Sequence, residues 1–110
     1  MILFNLANGN PTGKYCGNIV GNQLNISMNQ TSKIANISAN VFGTNINCPN
    51  EKYSFNQTNV NFSKNQSDCL NKFLNQYGQC PCPPDVIYNK NNNELIIPNN
   101  MIGDITLSKC

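Results

Sequence analysis

The chain has no arginine, no histidine and no tryptophan, and only 11% of its 110 residues are charged. Without arginine it lacks the planar fork that grips phosphate and base edges. Seven lysines against five acids leave a net charge of +2, so a nucleic-acid partner is not expected. Without histidine there is no ordinary general base for a serine or cysteine nucleophile. The five acids, Glu51, Asp68, Asp85, Glu94 and Asp104, fall in separate segments. A carboxylate pair such as Asp85 with Asp104 has no spacing that recommends it over turn and capping roles. Clustered carboxylates for calcium and glycine-rich loops for phosphate are missing too. The expectation is therefore no enzyme, no cofactor and no metal. No apolar run approaches the ~18 residues of a membrane span.

Asparagine dominates what is present, at 24 residues, about a fifth of the chain. AT-rich coding would raise Asn, Ile and Lys together. Ile is high at eleven but Lys is ordinary at seven, so coding bias explains only part of the excess. Six asparagines stand in usable Asn-x-Ser/Thr triplets: Asn25, Asn29, Asn36, Asn56, Asn61 and Asn65. Asn10-Pro-Thr is blocked by its proline. With twelve Ser and Thr in the chain, chance supplies roughly two or three such triplets. All six lie between residues 25 and 67, and the C-terminal 43 residues hold none. The distribution reads as a surface written for N-glycosylation. The competing explanation is Asn as the generic polar residue of half-buried strands.

Six cysteines, Cys16, Cys48, Cys69, Cys80, Cys82 and Cys110, form an even set in a small, weakly charged chain. They read as three disulfides formed in an oxidising, extracellular compartment. Zinc is disfavoured because neither His nor a Cys-x-x-Cys pair is present. Cys80 and Cys82 stand too close for an easy mutual bond, and the pairing stays open. The first residues, MILFNLANGNP, start apolar but lack the basic segment and small-residue cleavage site of a complete secretory leader.

Alternation favours strands. Leu24, Ile26 and Met28 alternate with Asn25, Ser27 and Asn29, and Ala35, Ile37, Ala39 and Val41 alternate with Asn36, Ser38 and Asn40. Asn25 and Asn29 would share a polar face about 13 Å apart. Further strands are expected at KYCGNIV, around Ile46, and at KYSF, NVNFS, DVIY, ELII and ITLS, with a turn or bulge at FNQTN and a hairpin at VIYNKNNNELII. Leu70, Phe73, Leu74 and Tyr77 mark one helix over about residues 68–77, with Ser67 or Asp68 at its start and Gly78 at its end. The fold class is thus mainly β: a small antiparallel sandwich or barrel of about seven or eight strands, with the helix before the last three. Most aromatics sit on apolar parity and read as core. Residues 1–9 read as an apolar arm carried by Ile2, Phe4 and Leu6, folded back on its own domain or exchanged with a neighbour. Residues 13–110 form a single β-rich domain.

The opening GKYCGNIVGNQLNISM resembles, in its Gly-x-aromatic start, small ligand-binding barrels such as lipocalins. The helix before the last three strands departs from their order, and no family is assigned. Together these features lead to a secreted or cell-surface N-glycosylated structural or adhesive protein, whose arm could assemble an extracellular filament. Its partners would be copies of itself or an extracellular matrix or cell-surface molecule. The alternative is a small extracellular binding module, a lectin or lipocalin-like carrier.

Overall fold

The computed structural model describes residues 10–19, 21–65, 67–76, 85–98 and 104–110. The arm residues Ile2, Phe4 and Leu6, the cysteines Cys80 and Cys82, and the helix-end residues Tyr77 and Gly78 lie outside them.

Eight antiparallel strands follow one another around a closed barrel. They are β1 (Gly13–Ile19), β2 (Asn22–Asn29), β3 (Ile34–Val41), β4 (Thr44–Asn56), β5 (Asn59–Phe62), β6 (Val86–Asn89), β7 (Glu94–Ile97) and β8 (Ile105–Lys109). Among the described residues one helix, α1 (Cys69–Gln76), falls between β5 and β6, before the last three strands, as its apolar stripe indicates. Among the described residues every strand run expected from alternation is present, those around Ile46 and at KYSF joined in β4, and of the two architectures the barrel is the one formed.

The period-two pattern sets the interior. Tyr15, Ile26, Ile37 and Cys48 form one inward row across β1–β4, continued around the wall by Tyr53 opposite Phe62, Val60 opposite Val86, and Leu95 opposite Leu107. Tyr15, Val60, Leu95 and Leu107 are wholly buried, so side chains fill the centre. Burial of each such side chain stabilises the fold by roughly 1.5–3 kcal/mol.

The strand β4 is a single 13-residue element because it absorbs its proline in a bulge. Ile37 pairs with Cys48 but Ala35 with Glu51, which leaves Pro49 and Asn50 together opposite Asn36. The missing proline N–H is tolerated there, and Asn50 takes the left-handed φ of 60° and donates its N–H to Asn36 Oδ1 at 2.9 Å. The extra residue shifts the inward parity from Ile46 and Cys48 to Glu51, Tyr53 and Phe55. The slip expected at FNQTN is a two-residue turn, Gln57–Thr58, between the paired Asn56 and Asn59.

Two features close the barrel. β1 meets β8 through only two residue pairs, Tyr15 with Lys109 and Cys16 with Ser108. Gly17 lets the strands approach, since a Cβ there would come within 2.9 Å of the Thr106 carbonyl oxygen. The Cys16–Cys110 disulfide locks this seam across 94 residues. On the other side β5 pairs only with the Tyr53–Asn56 end of β4. The rest of that flank carries α1, tied by the Cys48–Cys69 disulfide.

The 94-residue loop restricts the unfolded chain more than the 21-residue one, by roughly 4.7 against about 3 kcal/mol in the chain-entropy treatment. Replacing Cys16 and Cys110 together by Ser is therefore expected to cost roughly 2–5 kcal/mol, more than the matching Cys48 and Cys69 replacement. Urea unfolding of both double variants measures this, and a reversed order would contradict the entropic account of the seam.

Candidate functional site

The six sequon asparagines all occupy outward or loop positions. Asn29, Asn36, Asn56, Asn61 and Asn65 are exposed and Asn25 is half-buried. Asn25 pairs with Ser38 and Ser27 with Asn36, so two sequons face each other in opposite directions across β2 and β3. Each asparagine stands beside the other triplet's serine, with the two asparagines on a diagonal about 7–8 Å apart. Asn61 faces outward on β5 opposite Ser54. Asn29 and Asn65 also organise loops: Asn29 Oδ1 accepts the N–H groups of Thr31 and Ser32 at 3.0 and 3.2 Å, and Asn65 Oδ1 accepts that of Ser67 at 3.0 Å. No sequon falls on β6, β7 or β8.

The end of the barrel that holds the β4–β5 and β6–β7 turns carries the second feature. Here the Tyr15 hydroxyl donates to Asn93 Oδ1 at 2.7 Å, and the Tyr88 hydroxyl donates to the same oxygen at 3.2 Å. Asn93 sits at a left-handed φ of 54° in the β6–β7 turn, which the two phenols thereby pin to the barrel wall. The N–H of Thr12 donates to the Tyr15 oxygen at 3.3 Å, and Lys109 Nζ donates to the Thr12 carbonyl at 2.6 Å while lying 5.4 Å from the centre of the Tyr15 ring. Burial raises the Tyr15 pKa to about 12, so it stays a neutral donor through the physiological range. Tyr15 thus serves the β1–β8 seam.

Beside this network lies an open cleft of ≈ 850 Å³. Phe55, Ile87, Tyr88 and Ile96 supply its apolar surface, and Asn10, Gln57 and Thr58 are among its polar walls. Phe55 and Tyr88 meet edge to face, with ring centres 5.8 Å apart. Ile87 and Ile96 are a cross-strand pair, and Ile87 is 38% exposed. Apolar walls beside neutral amides suit an amphipathic ligand.

A buried carboxylate marks the start of α1. Glu51, brought inward by the bulge, is 6% exposed and accepts a hydrogen bond from the Leu70 N–H. Burial, with the negative Asp68 nearby, holds its pKa above the ordinary carboxylate value despite that bond. The Asp68 carbonyl accepts the Lys72 N–H at 2.9 Å, which places Asp68 as the cap residue. The wholly buried Asn71 donates to the carbonyls of Ser63 and Asn65, both at 2.8 Å. The helix start is therefore held by a disulfide, a carboxylate and an amide.

At the far end of β4 one aromatic stands exposed. Phe42, which shares a two-residue turn with Gly43, is 80% exposed at a left-handed φ of 51°. Its N–H donates to Asn22 Oδ1 at 3.0 Å, which couples this tip to the start of β2. Such turns favour Asn or Asp before Gly, and a bulky residue there is strained. A chain rich in asparagine has placed phenylalanine where asparagine is preferred.

Asp85 and Asp104 are exposed residues just before β6 and β8. Among the described residues no group of three or more Cys, Asp and Glu could hold a metal ion, and no helix is long and apolar enough to cross a membrane. Comparison with protein-family models, curated proteins and solved structures yields no match. The cleft went unseen in the sequence because it joins residues 55–58 to residues 87–96. Asn93 sits in a polar run that gives it no distinguishing mark, whereas the Phe42-Gly43 turn is a local signal in the sequence.

Two expectations follow. Because folding raises the Glu51 pKa, its contribution is fully favourable below the ordinary carboxylate value and is lost as pH rises through the raised one. Glu51→Gln should flatten that fall in melting temperature with pH, and an unchanged slope would remove Glu51 as its source. Phe42→Asp should stabilise the fold by about 1 kcal/mol in urea unfolding by relieving the strained turn.

Proposed function

We propose that the protein is an extracellular or cell-surface N-glycosylated domain with a structural or adhesive role. The observation that carries this reading is the placement of the sequons on the outside of β2–β5 and the following loop, while β6, β7 and β8 have none. Sugars at these positions would cover one sector of the wall with solvated bulk and leave the other free for contact. The two disulfides are compatible with an oxidising location. Phe42 adds a rigid aromatic contact at the tip, the kind of preorganised anchor that interfaces use. On this reading the protein performs no catalysis. Assembly into a filament through Ile2, Phe4 and Leu6 is the most specific form of the proposal.

The cleft favours a second reading, a binding module of the lectin or carrier type. A screen of sugars and lipids by thermal shift separates the two, because only a binding module gains stability from one of them.

Releasing N-glycans from native material in heavy-oxygen water converts each occupied asparagine to labelled aspartate. Mass spectrometry is expected to find the label at three or more of Asn25, Asn29, Asn36, Asn56, Asn61 and Asn65. Unlabelled protein would reduce these residues to a polar strand face and leave the extracellular assignment on cysteines alone.

A further inference from the structure

We infer that the cleft beside Tyr88 is a saccharide-binding site, in which a sugar ring lies on Ile87 and Ile96 and its hydroxyls meet the side-chain amides of Asn10, Gln57, Asn89 and Asn91. The inference rests on the second reading above, that the cleft takes a ligand, and it names the class of that ligand. A sugar ring is apolar across its C–H face and rimmed by hydroxyls that both donate and accept. An amide side chain carries a carbonyl acceptor and N–H donors together, so it meets neighbouring hydroxyls in both roles. Elsewhere such side chains serve the fold: Asn36 and Asn22 accept backbone N–H groups, Asn71 donates to two carbonyls, and Asn93 takes two phenols. Among the described residues none of the four cleft amides has a side-chain hydrogen bond of that kind. The turns that carry them are nevertheless fixed. The Thr58 carbonyl accepts the Tyr88 N–H at 2.7 Å, which ties the β4–β5 turn to β6, and Asn93 is pinned by Tyr15 and Tyr88 in the β6–β7 turn. Walls held in place before a ligand arrives lower the ordering cost of binding it.

The choice of a saccharide over an apolar chain follows from where the cleft lies. A barrel that carries a lipid encloses it, and here the centre is filled by Tyr15, Val60, Leu95 and Leu107, all wholly buried. The cleft is on the outside instead, with Gln57, Thr58 and Asn91 exposed along it. An acyl chain laid there would take water from amides and give no hydrogen bond in return, which costs free energy. A sugar replaces that water with its own hydroxyls while its C–H face covers the two isoleucines. Lys90 adds an ammonium donor to the same wall. The volume of ≈ 850 Å³ falls within the range of about 300–1,000 Å³ that small-ligand sites span, which leaves room for a short oligosaccharide. This inference stands apart from glycosylation of the chain itself and does not depend on it.

The test titrates the full-length protein, labelled at its isoleucine methyl groups, with maltotriose, mannotriose and triacetylchitotriose up to millimolar concentration, and separately with lauric acid. At least one trisaccharide is expected to shift the Ile87 and Ile96 methyl resonances and to leave the core methyls of Ile26 and Ile37 in place. Replacing Gln57 and Asn91 together by Ala should weaken that binding about tenfold or more, the loss that one or two hydrogen bonds imply. Both residues are exposed, so the melting temperature should stay unchanged and the core methyls should report a folded barrel. Saccharide shifts of equal affinity in the double variant would overturn the role given to the amides. A response to lauric acid alone would overturn the saccharide and leave the binding-module reading standing. Silence of both methyls toward all four probes would overturn the inference and that reading together.

Discussion

The whole barrel depends on a seam of two residue pairs. A closed sheet removes every open edge only if its first and last strands meet, and here that meeting joins residues 94 apart through Tyr15, Cys16, Ser108 and Lys109. Long-range pairing of this kind is the slow and entropically costly part of β folding. Three local devices support it: Gly17 admits the backbone of β8, Lys109 spans the Tyr15 ring to reach Thr12, and the disulfide makes the closure permanent. With the seam intact, the opposite weakness can be tolerated. β5 is only four residues long, and α1 fills the flank of β4 that β5 leaves uncovered.

That substitution of helix for strand explains why a carboxylate is buried in the barrel wall. Glu51 turns inward only because the Pro49–Asn50 bulge shifts the parity of β4, and it turns inward at the point where α1 begins. A buried carboxylate costs stability unless its oxygens are satisfied. Here it offsets that cost by accepting an N–H that the first helical turn would otherwise leave unpaired. Bulge, carboxylate, disulfide and helix start are one unit, and changing any member alters what the others must do.

Much of this was legible in the linear sequence because period two and period 3.6 are local properties. Leu24 to Met28, Ala35 to Val41 and the Leu70–Phe73 stripe declare their elements without knowledge of their neighbours. Facts that depend on two distant segments meeting were not legible. The pairing of Cys16 with Cys110 could not be chosen among the alternatives, because nothing near either cysteine encodes the closure. The strands expected separately around Ile46 and at KYSF are one strand, because the bulge that joins them is visible only once Asn36 stands opposite. The cleft is assembled by two turns some thirty residues apart, and Asn93 is distinguished from its polar neighbours only by the phenols that find it.

The facing arrangement of Asn25-Ile-Ser and Asn36-Ile-Ser has a consequence for biosynthesis. A sugar-adding enzyme needs an accessible triplet, whereas a hairpin closes in about 1–10 µs once both strands exist. Synthesis proceeds at roughly 5–20 residues per second, so Asn25 emerges on the order of a second before the Ser38 that will pair with it. Asn36 has a shorter interval, because β2 has already been made when β3 appears. If these triplets carry sugar, as proposed above, the order in which the ribosome delivers them would make them unequal substrates, with the earlier one favoured before the barrel has taken shape.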